Sequence, residues 1–385
     1  MTENHSIQAT PAPDAPSSEL HRAISDMLAT ADIQIGGKRP WDIQLNAPGV
    51  IERAVSQGNL GFGEAYMDGD WDADRLDEFF YRLLSCQLEQ HFKPRKQLLY
   101  YLSATLRNLQ QGKRVWKVAQ VHYDLGNEFY QAMLDSRMTY SCGYWKNADN
   151  LAAAQEAKLD LVCRKLGLQP GMRVLDIGCG WGSFMGYAAE HYGVECVGFT
   201  VSQAQADWAR SHYAGLPIEV KLQDYREVEG KFDRISSIGM FEHVGRKNHR
   251  EFMRVAANAL AEDGLLLLHS IGKNKSRTVT DPWTAKYIFP YGDLPSIRQI
   301  ADASEGLFIA EDVENFGADY DKTLMAWHAN FEAAWPTFRN SLGDRFYRMW
   351  RYYLLSCAGA FRARDLQLYQ WVLSKKGVPG GYVRP

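Results

Sequence analysis

Between residues 171 and 270 short apolar runs alternate with longer stretches whose apolar residues recur every three or four positions. The runs fall at 174–177, 196–199, 218–222, 234–238 and 265–269 and predict strands. The stretches between them predict helices over 183–192, about 203–213 and about 250–260. A sixth strand is expected at 308–313. A seventh, antiparallel one is expected at 368–374, ahead of Gly377-Val-Pro-Gly-Gly381. Strands alternating with helices predict an α/β fold, a parallel sheet of about seven strands covered on both faces. In such a sheet a ligand sits beyond the carboxyl ends of the strands, beside the first one.

The chain before this region reads differently. A Pro-rich tail occupies 1–19, and 20–30 predicts a short helix. Small strands are expected at 33–35 and 42–45, a helix at 50–56, a loop at 59–63 and a helix at 76–84, where Leu76, Phe79, Phe80 and Leu83 share a face. Together 20–92 reads as a small α+β or mostly helical N-terminal domain without a catalytic constellation. Leu98, Leu102, Leu106 and Leu109 line one side of a linker helix over 93–120, and 121–385 forms the main domain.

Charge refines this division. Residues 1–90 hold fifteen acids against six Lys or Arg, whereas 93–117 hold seven basic residues and no acid. Such a block suits anionic lipid headgroups, or is simply the solvated side of a packed helix. No recognised nucleic-acid module surrounds it, which disfavours nucleic acid as a partner. The six cysteines are scattered without ligand-like spacing, so neither structural zinc nor a disulfide framework is expected, and a reducing cytoplasm fits. The first twenty residues lack a secretory pattern, and no run reaches the ~20 apolar residues of a membrane span. Contact with lipid is therefore expected to be peripheral.

The candidate chemistry begins at Arg173-Val-Leu-Asp-Ile-Gly-Cys-Gly-Trp-Gly182. A buried strand turning through glycines into a helix brings backbone N–H groups and a helix N-terminus against a ligand. The spacing is G-x-G-x-G with Ser183 following, not the G-x-G-x-x-G of a dinucleotide site, which disfavours a nicotinamide or flavin enzyme. The layout is that of a class I S-adenosylmethionine-dependent methyltransferase, Rossmann-like in its sheet. Asp176 is placed to orient the loop or meet the cofactor's ammonium. Asp224 and Tyr225, ending the third strand, offer a carboxylate and a ring to adenine. No acid follows the second strand, so Thr200 and Gln205 must supply the ribose hydrogen bonds.

Further segments read together with this loop: Val121-His-Tyr-Asp-Leu-Gly-Asn127, Tyr140-Ser-Cys-Gly-Tyr-Trp145, Gly239-Met-Phe-Glu-His-Val-Gly245, Leu268-His-Ser-Ile-Gly272, Phe316-Gly-Ala-Asp-Tyr-Asp321 and Cys357-Ala-Gly-Ala-Phe-Arg-Ala-Arg-Asp365. On these motifs the chain, from about residue 22 to its end, resembles the long, two-domain cyclopropane-fatty-acyl-phospholipid synthases of bacteria. Mycolic acid cyclopropane synthases share the catalytic half only. The resemblance implies methylene transfer from S-adenosylmethionine to cis-unsaturated acyl chains of a phospholipid bilayer, with bound bicarbonate as base. It implies a bicarbonate site of Cys142, Glu242, His269, Ile271 (through its backbone) and Tyr320, with Cys357 as a further active-site candidate. It assigns Tyr140, Ser141, Gly178, Gly180, Gly182, Thr200, Gln205, Asp224 and Tyr225 to the cofactor. It also implies a homodimer held peripherally at the cytoplasmic face of the membrane, with the N-terminal domain taking part in both contacts.

The residue types suit that chemistry. His269, the Tyr320 hydroxyl and the Ile271 N–H can donate to an anion, and Glu242 can accept its O–H. Tyr140, Tyr144, Trp145, Phe241, Trp283, Tyr287, Phe289 and Tyr320 stand near the motifs, where aromatic faces can shelter a cation, though core packing accounts for most such residues. No role for a Cys357 thiolate follows when a methyl passes directly from sulfur to alkene. Methyl- or methylene-branching of the acyl chain is the nearest rival reaction. A non-catalytic lipid-binding protein on the same fold is the rival of another class.

Overall fold

The computed structural model describes residues 16–86, 126–276, 281–290 and 292–385. The expected linker helix, the ends of the N-terminal and main domains beside it, and most of the 1–19 tail lie outside these residues. The elements in chain order are α1 (Pro16–Thr30), β1 (Gln44–Leu45), α2 (Val50–Asp68), β2 (Trp71–Asp72), α3 (Leu76–Ser85), α4 (Asn127–Met133) and α5 (Leu151–Lys165). There follow β3 (Arg173–Ile177), α6 (Ser183–Tyr192), β4 (Glu195–Thr200), α7 (Gln203–His212), β5 (Ile218–Leu222), β6 (Phe232–Ile238), α8 (Phe241–Val244), α9 (His249–Ala259) and β7 (Leu260–Lys273). The chain closes with α10 (Pro282–Tyr287), α11 (Ile297–Ser304), β8 (Ile309–Asn315), α12 (Ala318–Arg362) and β9 (Leu366–Ser374).

Seven strands form one sheet in the order β5-β4-β3-β6-β7-β9-β8. β5 to β7 pair in parallel, while β9 runs antiparallel between β7 and β8. All seven strands match the expected ones, with β7 extended at both ends. The chain reverses strand order beside β3, so the cleft at its carboxyl end opens where α/β sheets hold ligands. One face of the sheet packs with α9 and α11 around Phe252, Ile300 and Trp371. The other packs with α5, α6 and α7 around Leu159, Phe184 and Ala206.

The N-terminal elements depart from expectation in two places. The predicted strand at 33–35 is a single bridge from Ile35 to Ile43. The predicted loop at 59–63 is helical, because α2 resumes after one non-helical residue, Gly58. The buried glycines responsible for the loop expectation serve packing instead: a Cβ on Gly63 would stand 2.4 Å from Trp283 Cδ1.

The largest unanticipated element is α12. At Gly343 the backbone takes φ 78°, ψ 162°, and the residues on either side form two helical arms. Glu332 meets Tyr347, and far from the turn Asp321 meets Arg362, so the arms run antiparallel as a hairpin. Arg348 donates to Asp72 and to the carbonyl of Trp71, and Arg362 bridges Asp77 and Asp321. Tyr66, Trp71, Phe79 and Phe80 thereby share one buried cluster with Trp350, Tyr352 and Phe361 of the hairpin.

Candidate active site

A cavity opens at the carboxyl end of β3. Of the ten residues expected at the cofactor, Tyr140, Ser141, Asp176, Gly178, Gly180, Thr200, Gln205, Asp224 and Tyr225 line it. Gly182 does not. It takes φ 82° as the entry to α6, and a Cβ there would press on Ala209 and Tyr213. Gly178 also requires its left-handed backbone, and its missing side chain makes room for Met240. The N–H groups of Gly178 and Cys179 both donate to the carbonyl of Phe199 (3.0 Å each). The turn therefore offers a ligand its surface, and those two N–H groups are spent inside the fold.

Asp176 is buried, its Oδ1 has no hydrogen-bond partner, and burial pushes its carboxyl up to about 7. Thr200 donates to Gln205 Oε1 (3.1 Å) and accepts from the N–H of Ser202, so the pair is pre-organised. The Asp224 carboxylate caps the turn behind it and binds Arg226 Nη1 through both oxygens (3.1 and 3.0 Å). It keeps lone pairs for a further donor. Tyr225 packs against Phe252 at 5.4 Å between centroids, beneath the Arg226 guanidinium.

None of the six expected catalytic residues lines this cavity. Two of them stand next in sequence to residues that do: Cys142 follows Ser141, and Glu242 precedes His243. Glu242 is buried, and burial raises its carboxyl to about 7. Its Oε1 accepts the Ile271 N–H (2.6 Å) and its Oε2 has no partner. Ile271 thus fixes Glu242 and does not present a free N–H. His269 is buried and neutral, its imidazole held well below its ordinary pKa by burial and by Lys158 and Lys165.

The His269 tautomer follows from its neighbours. Lys165 donates to Gln370 Oε1 (2.8 Å), which leaves the Gln370 amide N–H₂ facing His269 Nδ1 at 3.0 Å. Nδ1 is then the acceptor and Nε2 carries the proton. That Nε2–H has no partner. A partnerless buried acceptor at Glu242 and a partnerless buried donor at His269 fit a small anion that carries its own O–H.

Aromatic rings close the rear. Tyr320 stacks on Phe361 (4.5 Å) and meets Trp327 edge-on, while Tyr140 hydrogen-bonds Tyr353 (3.0 Å). Burial holds the Tyr320 phenol protonated, and the fields of Cys142 and Glu242 reinforce this. Cys142 is fully buried with its thiol pushed up, and the Cys357 thiol rises to about 12, so neither is a thiolate near neutral pH. Phe289 lines the cavity, whereas Phe241 stacks on His249, and Trp283 and Tyr287 pack against α2.

Three contributors were absent from the sequence reading. Thr323 on the first arm of α12 accepts from the N–H of Gly143 and from Trp145 Nε1, and so shapes the 140–145 segment. Recurrence of apolar residues at 320, 324, 327, 331 and 335 was the available signal for that arm. Gln370 follows only from strand pairing, since it sits opposite His269 in the β7–β9 register. Lys158 is a cavity-lining lysine 1% exposed, and nothing in its helical context marks it as buried. Among the described residues there is no group of side chains suited to a metal ion, and no helix long and apolar enough to cross a membrane.

Comparison with known proteins accords with this geometry. The family model for mycolic acid cyclopropane synthetase matches residues 110–371. The cyclopropane-fatty-acyl-phospholipid synthase of Escherichia coli K12 is 51% identical over 370 residues, covering 95% of this chain and 96% of that protein. A probable fatty acid methyltransferase of Pseudomonas putida is 37% identical over 278 residues, 69% of this chain and 70% of its own. The crystal structure of a mycolic acid cyclopropane synthase complexed with SAH and CTAB superposes with a TM-score of 0.64 at 34% identity, over 68% of this chain and 98% of that one. With the sheet order, the glycine turn and the match over most of its length, the chain belongs to the mycolic acid cyclopropane synthetase family.

Proposed function

We propose that this chain transfers a methylene group from S-adenosylmethionine to the cis double bond of unsaturated phospholipid acyl chains, forming a cyclopropane ring. The observation that carries the reading is the pair of orphaned buried groups, Glu242 Oε2 and His269 Nε2, set behind a nucleotide cavity and closed by aromatic rings. S-adenosylmethionine supplies an electrophilic methyl, and an isolated alkene that attacks it becomes a carbocation. The protein must then align the two, exclude water and remove one proton from the new methyl.

Each requirement has residues to meet it. The cavity walls from Asp176 to Gly180 and from Thr200 to Gln205 orient the nucleotide. The rings of Tyr140, Tyr320 and Phe289 exclude water and offer π-faces to a cation. Glu242 and His269, with Cys142 and Tyr320 beside them, fit bicarbonate, which supplies the proton acceptor. Glu242 would accept its O–H, and His269 Nε2–H would donate to an oxygen. Ile271 acts one step back by holding Glu242 in place. The acyl substrate makes the site of action a bilayer surface. The basic run at 93–117 supports contact with anionic headgroups at the cytoplasmic face. We extend the reading to a homodimer in which the N-terminal elements take part.

The test uses methyl-labelled S-adenosylmethionine with liposomes of cis-unsaturated or fully saturated phosphatidylethanolamine. Label should enter only the unsaturated chains. Stripping bicarbonate from the buffer should slow the reaction and adding it back should restore the rate; an unchanged rate would overturn the proposed base.

A further inference from the structure

Lys158 carries a consequence that the methyl-transfer chemistry leaves unused. It projects from α5 into the wall of the nucleotide cavity and is 1% exposed. Its one hydrogen bond among the described residues goes to a neutral group, the Ser141 hydroxyl, at 3.0 Å. No carboxylate lies within ion-pair distance of it among those residues. An ammonium has three donors, so two remain unmatched in a place that water barely reaches. A buried cation without a counter-charge is unfavourable and is tolerated where a ligand brings the missing anion.

The same cavity holds the opposite deficiency. Asp176, at the end of β3, is buried with Oδ1 partnerless. Asp176 and Lys158 do not neutralise each other by direct contact, although each lies in the other's field. A cavity wall with an unmatched buried ammonium and an unmatched buried carboxyl, which a ligand's ammonium would draw into its charged form, is complementary to a zwitterion. The amino-acid end of S-adenosylmethionine is such a group, with a carboxylate and an ammonium on one carbon.

We propose that Lys158, together with the Ser141 hydroxyl, binds the carboxylate of the cofactor's amino-acid end, while Asp176 binds its ammonium. Lys158 is thus a positioning residue: by fixing the far end of the cofactor it sets where the methyl sulfonium points. Ser141 is itself oriented from below, because Gln155 Nε2 donates to its carbonyl at 2.7 Å. The assignment rests on the cofactor reading given above and adds which residue reads which charge.

The test compares two ligands that share the thioadenosine and differ in the amino-acid end. Binding of S-adenosylhomocysteine and of 5′-methylthioadenosine, which lacks that end, is measured by calorimetry for the wild type and for Lys158→Met, a substitution of similar length. Loss of a charge-assisted contact should weaken S-adenosylhomocysteine about 10- to 100-fold. Methylthioadenosine should stay within about twofold. In turnover assays KM for S-adenosylmethionine should rise more than kcat falls. Equal loss for both ligands would show that Lys158 only props the cavity wall, and no loss for either would show that it touches nothing; each result overturns the assignment.

A second arm needs no variant. In the wild type, decarboxylated S-adenosylhomocysteine should bind at least tenfold more weakly than the parent, and equal binding would overturn the proposal. A wild-type chain that bound none of these nucleosides would instead sink the cofactor reading, and this assignment with it.

Discussion

Two carboxyl groups, Asp176 and Glu242, are buried without full hydrogen-bonding and are raised to about 7 from ordinary values near 4. The folded state therefore holds protons that the unfolded chain has already released between about pH 4 and pH 7. Where the folded state binds more protons, stability falls as pH rises, by on the order of 4 kcal/mol per group at most. Without ligands the melting temperature should fall from pH 5 to pH 8. Asp176→Asn or Glu242→Gln should flatten that fall, even as Glu242→Gln abolishes turnover. A melting profile with the same slope in all three proteins would contradict the burial account. Gln370 makes a different kind of contribution, since it fixes the tautomer of His269 without facing the cavity. Gln370→Leu should lower kcat about 10- to 100-fold while nucleoside binding stays intact, as expected for a partner that orients an active group.

Glycine was the hardest residue to read from sequence, because it marks both chain reversal and close packing. The turn after β3 was legible: an apolar run ending in spaced glycines admits few structures. The glycines at 61 and 63 produced a false loop: Gly61 makes room for Arg53 and Gln57 within its own helix, and Gly63 for Trp283, more than two hundred residues away. Gly343 is a third case. Its φ of 78° with ψ of 162° lies in a region open almost only to glycine, and it lets α12 fold back on itself. Gly343→Ala should destabilise the protein by about 1–3 kcal/mol in urea unfolding. A variant as stable as the wild type would mean that the hairpin turn carries no such strain. The same limit explains Lys158 and Gln370. Burial of a lysine, or the partner of a glutamine across two strands, is set by pairing that no local spacing encodes. The catalytic set came into view through motif resemblance, and the structure adds which of its atoms lack partners.

The N-terminal elements do not stand apart from the hairpin. Tyr66, Trp71 and Phe79 lie in one cluster with Tyr352 and Phe361, and Arg348 and Arg362 tie the two sides with buried or half-buried ion pairs. α2 also reaches α10: Glu64 accepts from Tyr287, and Asn59 donates to Asp281. The segment leading out of α10 carries Phe289 and Pro290 to the cavity wall. Residues 16–86 should therefore melt together with the hairpin in calorimetry, and a separate early transition for them would contradict the shared core. This arrangement makes the N-terminal elements part of the frame that closes the site, whatever they do at a membrane. The sheet holds the nucleotide, the hairpin closes the aromatic enclosure, and Glu242 with His269 sits between them.

The proposed chemistry predicts that the proton is lost from the new methyl, and hence the product. The protein is incubated with S-adenosylmethionine and liposomes of cis-unsaturated phospholipid, and the released acyl chains are examined by proton NMR. Upfield methylene protons of a cyclopropane ring, with matching loss of vinylic signal, are the predicted result. Branched-methyl or exomethylene signals would contradict it.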